Sequence, residues 1–177
     1  GVLPQGASTK NAGFACFGSL TEIISDSEKM GWPKTLELVK MRFEGLNKIQ
    51  HYFKAEEIDF ERCSGFEILN DNNALQQIDE VNEKLKTITC LEKTFFLNQD
   101  QIAKFGLQKT EFLVENPCEG SLHSGKLLQK LLEKSQSLGV EFLFGTEVLK
   151  ILEDENKVQI ITQFFQIETQ KLVIATN

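Results

Sequence analysis

Between Pro33 and Phe53 the apolar residues Leu36, Val39, Phe43, Leu46, Ile49 and Phe53 recur at steps of three and four, with charged and amide side chains between them. That period lays one apolar stripe along a helix. Pro33 suits its first turn, where the missing N–H has no helical partner to lose. Before it, Leu20, Ile23 and Ile24 stand among Gly18, Ser19, Ser25, Asp26 and Ser27, a pattern that fits a loop or a short helix. Leu75, Ile78, Val81 and Leu85 make a second helical stripe, and Asn73 with Gln76 three positions on reads as its cap and capping-box partner. Phe95-Phe96-Leu97 is a short strand candidate, followed by a brief helix through Gln101, Ile102 and Phe105 that Gly106 stops. Pro117 and Gly120 mark a turn.

From Ser124, which reads as a cap, Leu127, Leu128, Leu131 and Leu132 give an inward helical face that Gly139 ends. Val140 to Phe144 then reads as a strand, and this helix-to-strand step is half of a parallel βαβ crossover. Three further strands are expected at Val148 to Leu152, Val158 to Ile161 and Leu172 to Ala175. Asp154-Glu155-Asn156 and Glu168-Thr169-Gln170 separate them, and together they make a meander. The fold class is therefore α/β, with α+β character over the residues in hand.

Composition narrows the reading. The 177 residues are 41% hydrophobic and 25% charged, the profile of a globular chain, and no apolar run is long enough to span a membrane. A net charge of -7 argues against a nucleic-acid phosphate surface, which needs clustered Lys and Arg. Cys16, Cys63, Cys90 and Cys118 are dispersed without C-x-x-C spacing, so no metal site is expected, and buried free thiols in a reducing cytoplasm are the default. Arg42 could clamp a carboxylate but reads better as a solvated or salt-bridged side chain. His123, directly before a helix cap, reads as structural or solvent-facing.

The stretch Gly6-Ala7-Ser8-Thr9-Lys10-Asn11-Ala12-Gly13-Phe14 combines small residues, a hydroxyl pair and an Asn-Ala-Gly turn, so the backbone can approach a flat ligand while short donors point the same way. On composition alone it is also a solvated arm rich in turn formers. The segment resembles the G-A-S-x-x-N-A-G loop of the glycine/D-amino-acid oxidase superfamily of FAD-dependent oxidoreductases. A second resemblance lies at Glu119-Gly120-Ser121-Leu122-His123-Ser124-Gly125-Lys126-Leu127-Leu128, similar to that family's G-x-hydrophobic-x-P-x-x-L helix start, with Ser124 where Pro is usual. It continues in order through Gly145-Thr146-Glu147-Val148 to Val173-Ile174-Ala175-Thr176-Asn177. The middle of the chain matches less closely. There Glu61 to Leu69, with Phe66, Ile68 and Leu69 after Gly65, resembles the strand that enters the family's substrate domain, and Thr110 to Val114 a later strand of it.

The resemblance implies part of an FAD-binding Rossmann-like domain with a β-meander, plus part of a mixed-sheet substrate-binding domain. Its segments are residues 1–60 (flavin-adjacent loop and long helix), 61–118 (substrate domain) and 119–177 (helix, strand and meander). It implies that Ala7, Ser8, Thr9, Lys10, Asn11, Ala12, Gly13 and Phe14 line the ribityl, pyrophosphate and isoalloxazine side of FAD. Val148 would touch the adenine end, and Ala175 and Thr176 would close the site. Cys16, just past the loop, is expected not to bond the flavin covalently. The implied reaction is oxidation of a small-molecule amine or amino acid by hydride transfer to flavin, with no catalytic residue assigned. The family's G-x-G-x-x-G unit is not in the sequence, and Gly1 to Gln5 match the connection that follows it. The chain is therefore expected to be truncated at both ends, inactive alone and without bound FAD, with exposed surfaces open to dimerisation. A cytoplasmic location, no nucleic-acid partner and no membrane partner complete the expectation. Two alternatives stand beside it: an FAD-dependent tRNA-modifying oxidoreductase, and a non-enzymatic α/β binding module.

Overall fold

The computed structural model describes residues 6–175, and the expectations for Gly1 to Gln5 and for Thr176 lie outside them. The chain divides into two compact units, residues 11–131 and residues 1–10 with 132–177.

The larger unit is built on three helices of eleven or more residues, two short ones and two small antiparallel sheets. Helix α1 (Leu20–Met30) begins where the Ser19 side chain accepts from Glu22 N, and ends at Gly31. Helix α2 (Trp32–Tyr52) follows at once, with Pro33 in its first turn as expected. A one-turn helix α3 (Ala55–Ile58) leads to strand β2 (Gly65–Leu69). The stripe from Leu75 to Leu85 is helical, but it opens with a 3-10 turn (Ala74–Gln77) before α4 (Ile78–Thr89). Asn73 makes no side-chain cap there, because the tighter turn satisfies the first donors through its own backbone.

Strand β3 (Phe96–Leu97), helix α5 (Asp100–Lys104) and strand β4 (Phe112–Asn116) complete the first sheet, in the order β2-β4-β3. Gly65 pairs with Asn116 and Leu69 with Phe112. The second sheet is the pair β1 (Phe14–Ala15) and β5 (Gly120–Ser121), with Ala15 opposite Gly120. Phe17, Leu20, Ile23, Val39, Leu46, Val81, Leu85, Phe95 and Val114 form one core between α1, α2, α4 and the first sheet. The stripe read from the sequence thus supplies Val39 and Leu46. Asn82 closes the core on one side: its Oδ1 accepts from Thr94 N at 2.9 Å and Phe95 N at 2.8 Å, and its Nδ2 donates to Phe95 O at 2.8 Å. Three of the four positions of this buried amide are met, both of its polar atoms being engaged, which fixes the chain entering β3.

Helix α6 (Ser124–Ser137) runs on from β5 and has no fully buried side chain. In the smaller unit, β6 (Val148–Asp154), β7 (Lys157–Thr162) and β8 (Gln166–Thr169) form an antiparallel meander in sequence order. The first two strands fall where the alternation places them. Val140 to Phe144 and Leu172 to Ala175 are not strands, and the third strand is instead Gln166–Thr169, in the region expected to turn. Thr162 is the cause: its Oγ1 donates to Phe165 O at 2.7 Å and accepts from Phe164 N and Phe165 N, reversing the chain directly after β7. Among the described residues no helix is long and apolar enough to cross a membrane.

Candidate functional site

In the smaller unit, Ala7–Thr9 form one 3-10 turn in which Thr9 N and Thr9 Oγ1 both donate to Gly6 O, at 3.1 and 2.9 Å, and Lys10 N donates to Ala7 O. The turn spends its backbone donors internally and leaves Ala7, Ser8 and Lys10 exposed. Lys10 makes no ion pair among the described residues. Val148 opens β6 opposite Thr162 and is exposed, as is Ala175. No hydrogen bond joins Ala7–Lys10 to Val148 or Ala175 among the described residues.

In the larger unit, Gly13 N donates to Asn11 Oδ1 at 2.7 Å, a side-chain turn that bends the chain at Ala12. Gly13 has φ +82°, and a Cβ on it would collide with Leu122 O, so only glycine fits. Leu122 N donates to Gly13 O at 2.8 Å, and Ser124 Oγ donates to Asn11 O at 3.2 Å. The loop and the start of α6, the two segments whose sequences carried the resemblance, are therefore joined directly from Asn11 to Ser124. Phe14 beside them is 75% exposed. Within this unit the open Phe14 ring has the chemistry to stack on a flat ring such as a flavin; within the smaller unit the exposed Ser8 hydroxyl and Lys10 ammonium are donors of the kind a phosphate or ribityl chain takes.

His123 behaves as structure: its backbone N donates to Ile58 O, and its Nδ1 accepts from Lys126 N at the start of α6. Arg42 is ion-paired, Nη1 to Glu22 Oε1 at 2.7 Å. The four cysteines are free, but Cys16, Cys63 and Cys90 are exposed and only Cys118 is buried, which corrects the expectation of buried thiols. Desolvation, helped by Glu119, pushes the Cys16 thiol above its ordinary value and disfavours the thiolate. No cluster of metal-ligating side chains occurs among the described residues.

Glu119, quoted above only as the start of a motif, is the side chain that sequence reasoning missed. It is 8% exposed, in the turn between β4 and β5, and its Oε1 accepts from Phe17 N at 3.2 Å. Gly65 leaves the room its carboxyl fills. Burial pushes its pKa up to about 7, and the negative charges of Glu67 and Glu22 add to that, while the N–H groups of Phe17 and Gly18 pull it down. An acid directly before a glycine at a turn was the one available signal; the partners that bury it lie far off in sequence.

The family model for FAD dependent oxidoreductases, DAO, matches residues 1–177. The chain belongs to this family. Solved structures agree on the fold. L-proline dehydrogenase from P. horikoshii is similar with a TM-score of 0.66 and 18% identity, over 79% of this chain and 38% of that one. Glycine oxidase from Bacillus cereus gives 0.59 and 18%, over 96% and 46%. Glycine oxidase from Geobacillus kaustophilus gives 0.65 and 14%, over 96% and 45%. The DAO chain thus spans less than half the length of each of these proteins. No curated protein sequence matches it. Membership places the chain in an FAD-dependent family, and the solved structures agree with an α/β fold.

Proposed function

We propose that these residues supply the flavin-adjacent loop and part of the substrate-binding region of an oxidoreductase that oxidises a small amino acid or amine. The match of the FAD dependent oxidoreductase family across residues 1–177 carries this reading. The amino-acid substrates named for glycine oxidase and L-proline dehydrogenase favour an amino acid. When bound, FAD supplies the hydride acceptor. Ala7, Ser8, Thr9 and Lys10 would hold its ribityl and pyrophosphate side through short hydroxyl and ammonium donors. Asn11, Ala12, Gly13 and Phe14 would face the ring, Val148 the adenine end, and Ala175 and Thr176 the close of the site. Residues 1–60 then serve the flavin, 61–118 the substrate and 119–177 the meander side. The side chains here orient and exclude water; none is assigned a proton-transfer role.

The test uses the full-length gene product. It is expected to carry flavin whose absorbance bleaches anaerobically on adding one member of a panel of amino acids and secondary amines. A full-length protein without flavin, or one whose flavin none of the panel reduces, overturns the reading. Lys10→Met in that protein is expected to weaken FAD retention by about tenfold, the worth of one phosphate-directed ammonium. The 177 residues alone hold no G-x-G-x-x-G turn to bind a pyrophosphate, and are expected to purify colourless.

A further inference from the structure

Beside Glu119 lies a cleft of about 40 Å³, within residues 11–131, whose polar walls are Ser19, Glu67, Asn116 and Glu119 and whose apolar walls include Phe95 and Val114. Asn116 is 2% exposed, and its Nδ2 is a buried donor with no hydrogen-bond partner. The amide cannot be turned to relieve this. Its Oδ1 accepts from Cys118 N at 3.0 Å, and reversing it would set one donor against another. Buried amide donors are met by an acceptor as a rule, and the cleft that Asn116 lines has room for one.

The chemistry of the walls selects what that acceptor is. An anion would meet the acidic side chains of Glu119 and Glu67 in the walls. A metal ion or an ammonium would face the Asn116 amide hydrogens, and neither can accept from them. A neutral molecule that both accepts and donates satisfies every wall, and the space exceeds the roughly 10–15 Å³ that one water needs. We propose that this cleft is a structural water site, in which one ordered water accepts from Asn116 Nδ2 and is shared with the Glu119 carboxyl, keeping that buried acid in exchange with solvent. Ionised, Glu119 accepts from the water as it does from Phe17 N; protonated, it donates its O–H to the water oxygen. The groups facing it are Glu67 of β2, Glu22 of α1 with its partner Arg42 of α2, and the thiols of Cys16 and Cys118. The site needs no flavin, so it stands or falls apart from the proposed function.

High-resolution crystal structures of the protein at about pH 5.5 and about pH 8.5, either side of the buried acid's raised pKa, test it. The expected result is one water peak within hydrogen-bond distance of Asn116 Nδ2 and of a Glu119 oxygen. A dry cleft, or Nδ2 bonded to a protein acceptor, overturns it. In infrared titration the Glu119 carboxyl band is identified by its loss in Glu119→Gln. Asn116→Leu, which removes the donor and fills the cleft, is expected to raise that band's midpoint by about one pH unit, since a hydrogen bond to the charged form is lost. An unmoved midpoint overturns the proposal. If Asn116→Leu does not fold, the electron density of the native protein and of Glu119→Gln decides: the water is expected in both, and its absence from both overturns the site.

Discussion

Glu119 makes the stability of the larger unit depend on pH with a sign opposite to that of an ordinary ion-paired carboxylate. Its pKa rises from 4.5 to about 7 on folding, so between those values the unfolded chain releases this proton while the folded chain keeps it. The folded state then binds more protons, and stability falls as pH rises through the window, levelling off above about 7. Glu119→Gln is expected to flatten that slope and to gain up to about 3 kcal/mol over the native protein at alkaline pH, read by urea denaturation across pH. A variant that tracks the native slope would refute the assignment. Asn82 carries the opposite lesson, because its three bonds hold rather than titrate. Asn82→Leu strands two buried N–H groups and one carbonyl, and is expected to cost about 3 kcal/mol or more with an unchanged denaturant slope. Neither role shows in the sequence. An acid before a glycine and an amide on a helix gain them only from Phe17, Gly65, Thr94 and Phe95, which local pattern does not connect.

Elements were legible where the apolar period was long enough to choose one partner surface. The stripes from Leu36 to Phe53 and from Leu75 to Leu85 are α2 and α4, since a helix meets its backbone bonds internally and needs only one face covered. Strands were legible where a ladder partner exists: Phe96–Leu97, Gly65–Leu69 and Phe112–Asn116 fall on expected strand segments and pair in one sheet. Val148 to Leu152 and Val158 to Ile161 pair across a short turn, whereas Val140 to Phe144 and Leu172 to Ala175 have the apolar residues of strands but no ladder. The clamp of Asn11 and Gly13 onto Ser124 and Leu122 has no local signal in the sequence. The one-residue join between α1 and α2 is a local device with a measurable cost. Gly31 sits at φ 80° and ψ 154°, a region L residues avoid, with only Pro33 Cδ nearby at 3.8 Å. Gly31→Ala is therefore expected to cost about 1–3 kcal/mol through backbone strain alone. Gly45→Ala, inside α2 with open space around it, is expected to gain about 0.5–1 kcal/mol. Thermal melts of the two variants should move in opposite directions.

Across the whole molecule, burial is unevenly shared. Among the described residues the buried side chains belong to residues 11–131 except Thr162, while Phe164, Val173 and Ile174 are largely exposed. Residues 132–175 are accordingly expected to exchange their amide hydrogens through openings of lower free energy than α2 and α4, measured by native-state hydrogen exchange. Equal protection would contradict this. The clamp that holds Gly13 against Leu122 has a further consequence, in time rather than in energy. Ser124 and Asn11 are 113 residues apart, and Phe17 and Glu119 are 102 apart, so their bonds close nearly the whole of the larger unit into a ring. Loop closure on that scale comes after local helix formation. In pulse-labelling during refolding, the amides of Phe17 and Leu122 are expected to be protected last, so the segment of the chain most like a cofactor loop is the last to take its shape.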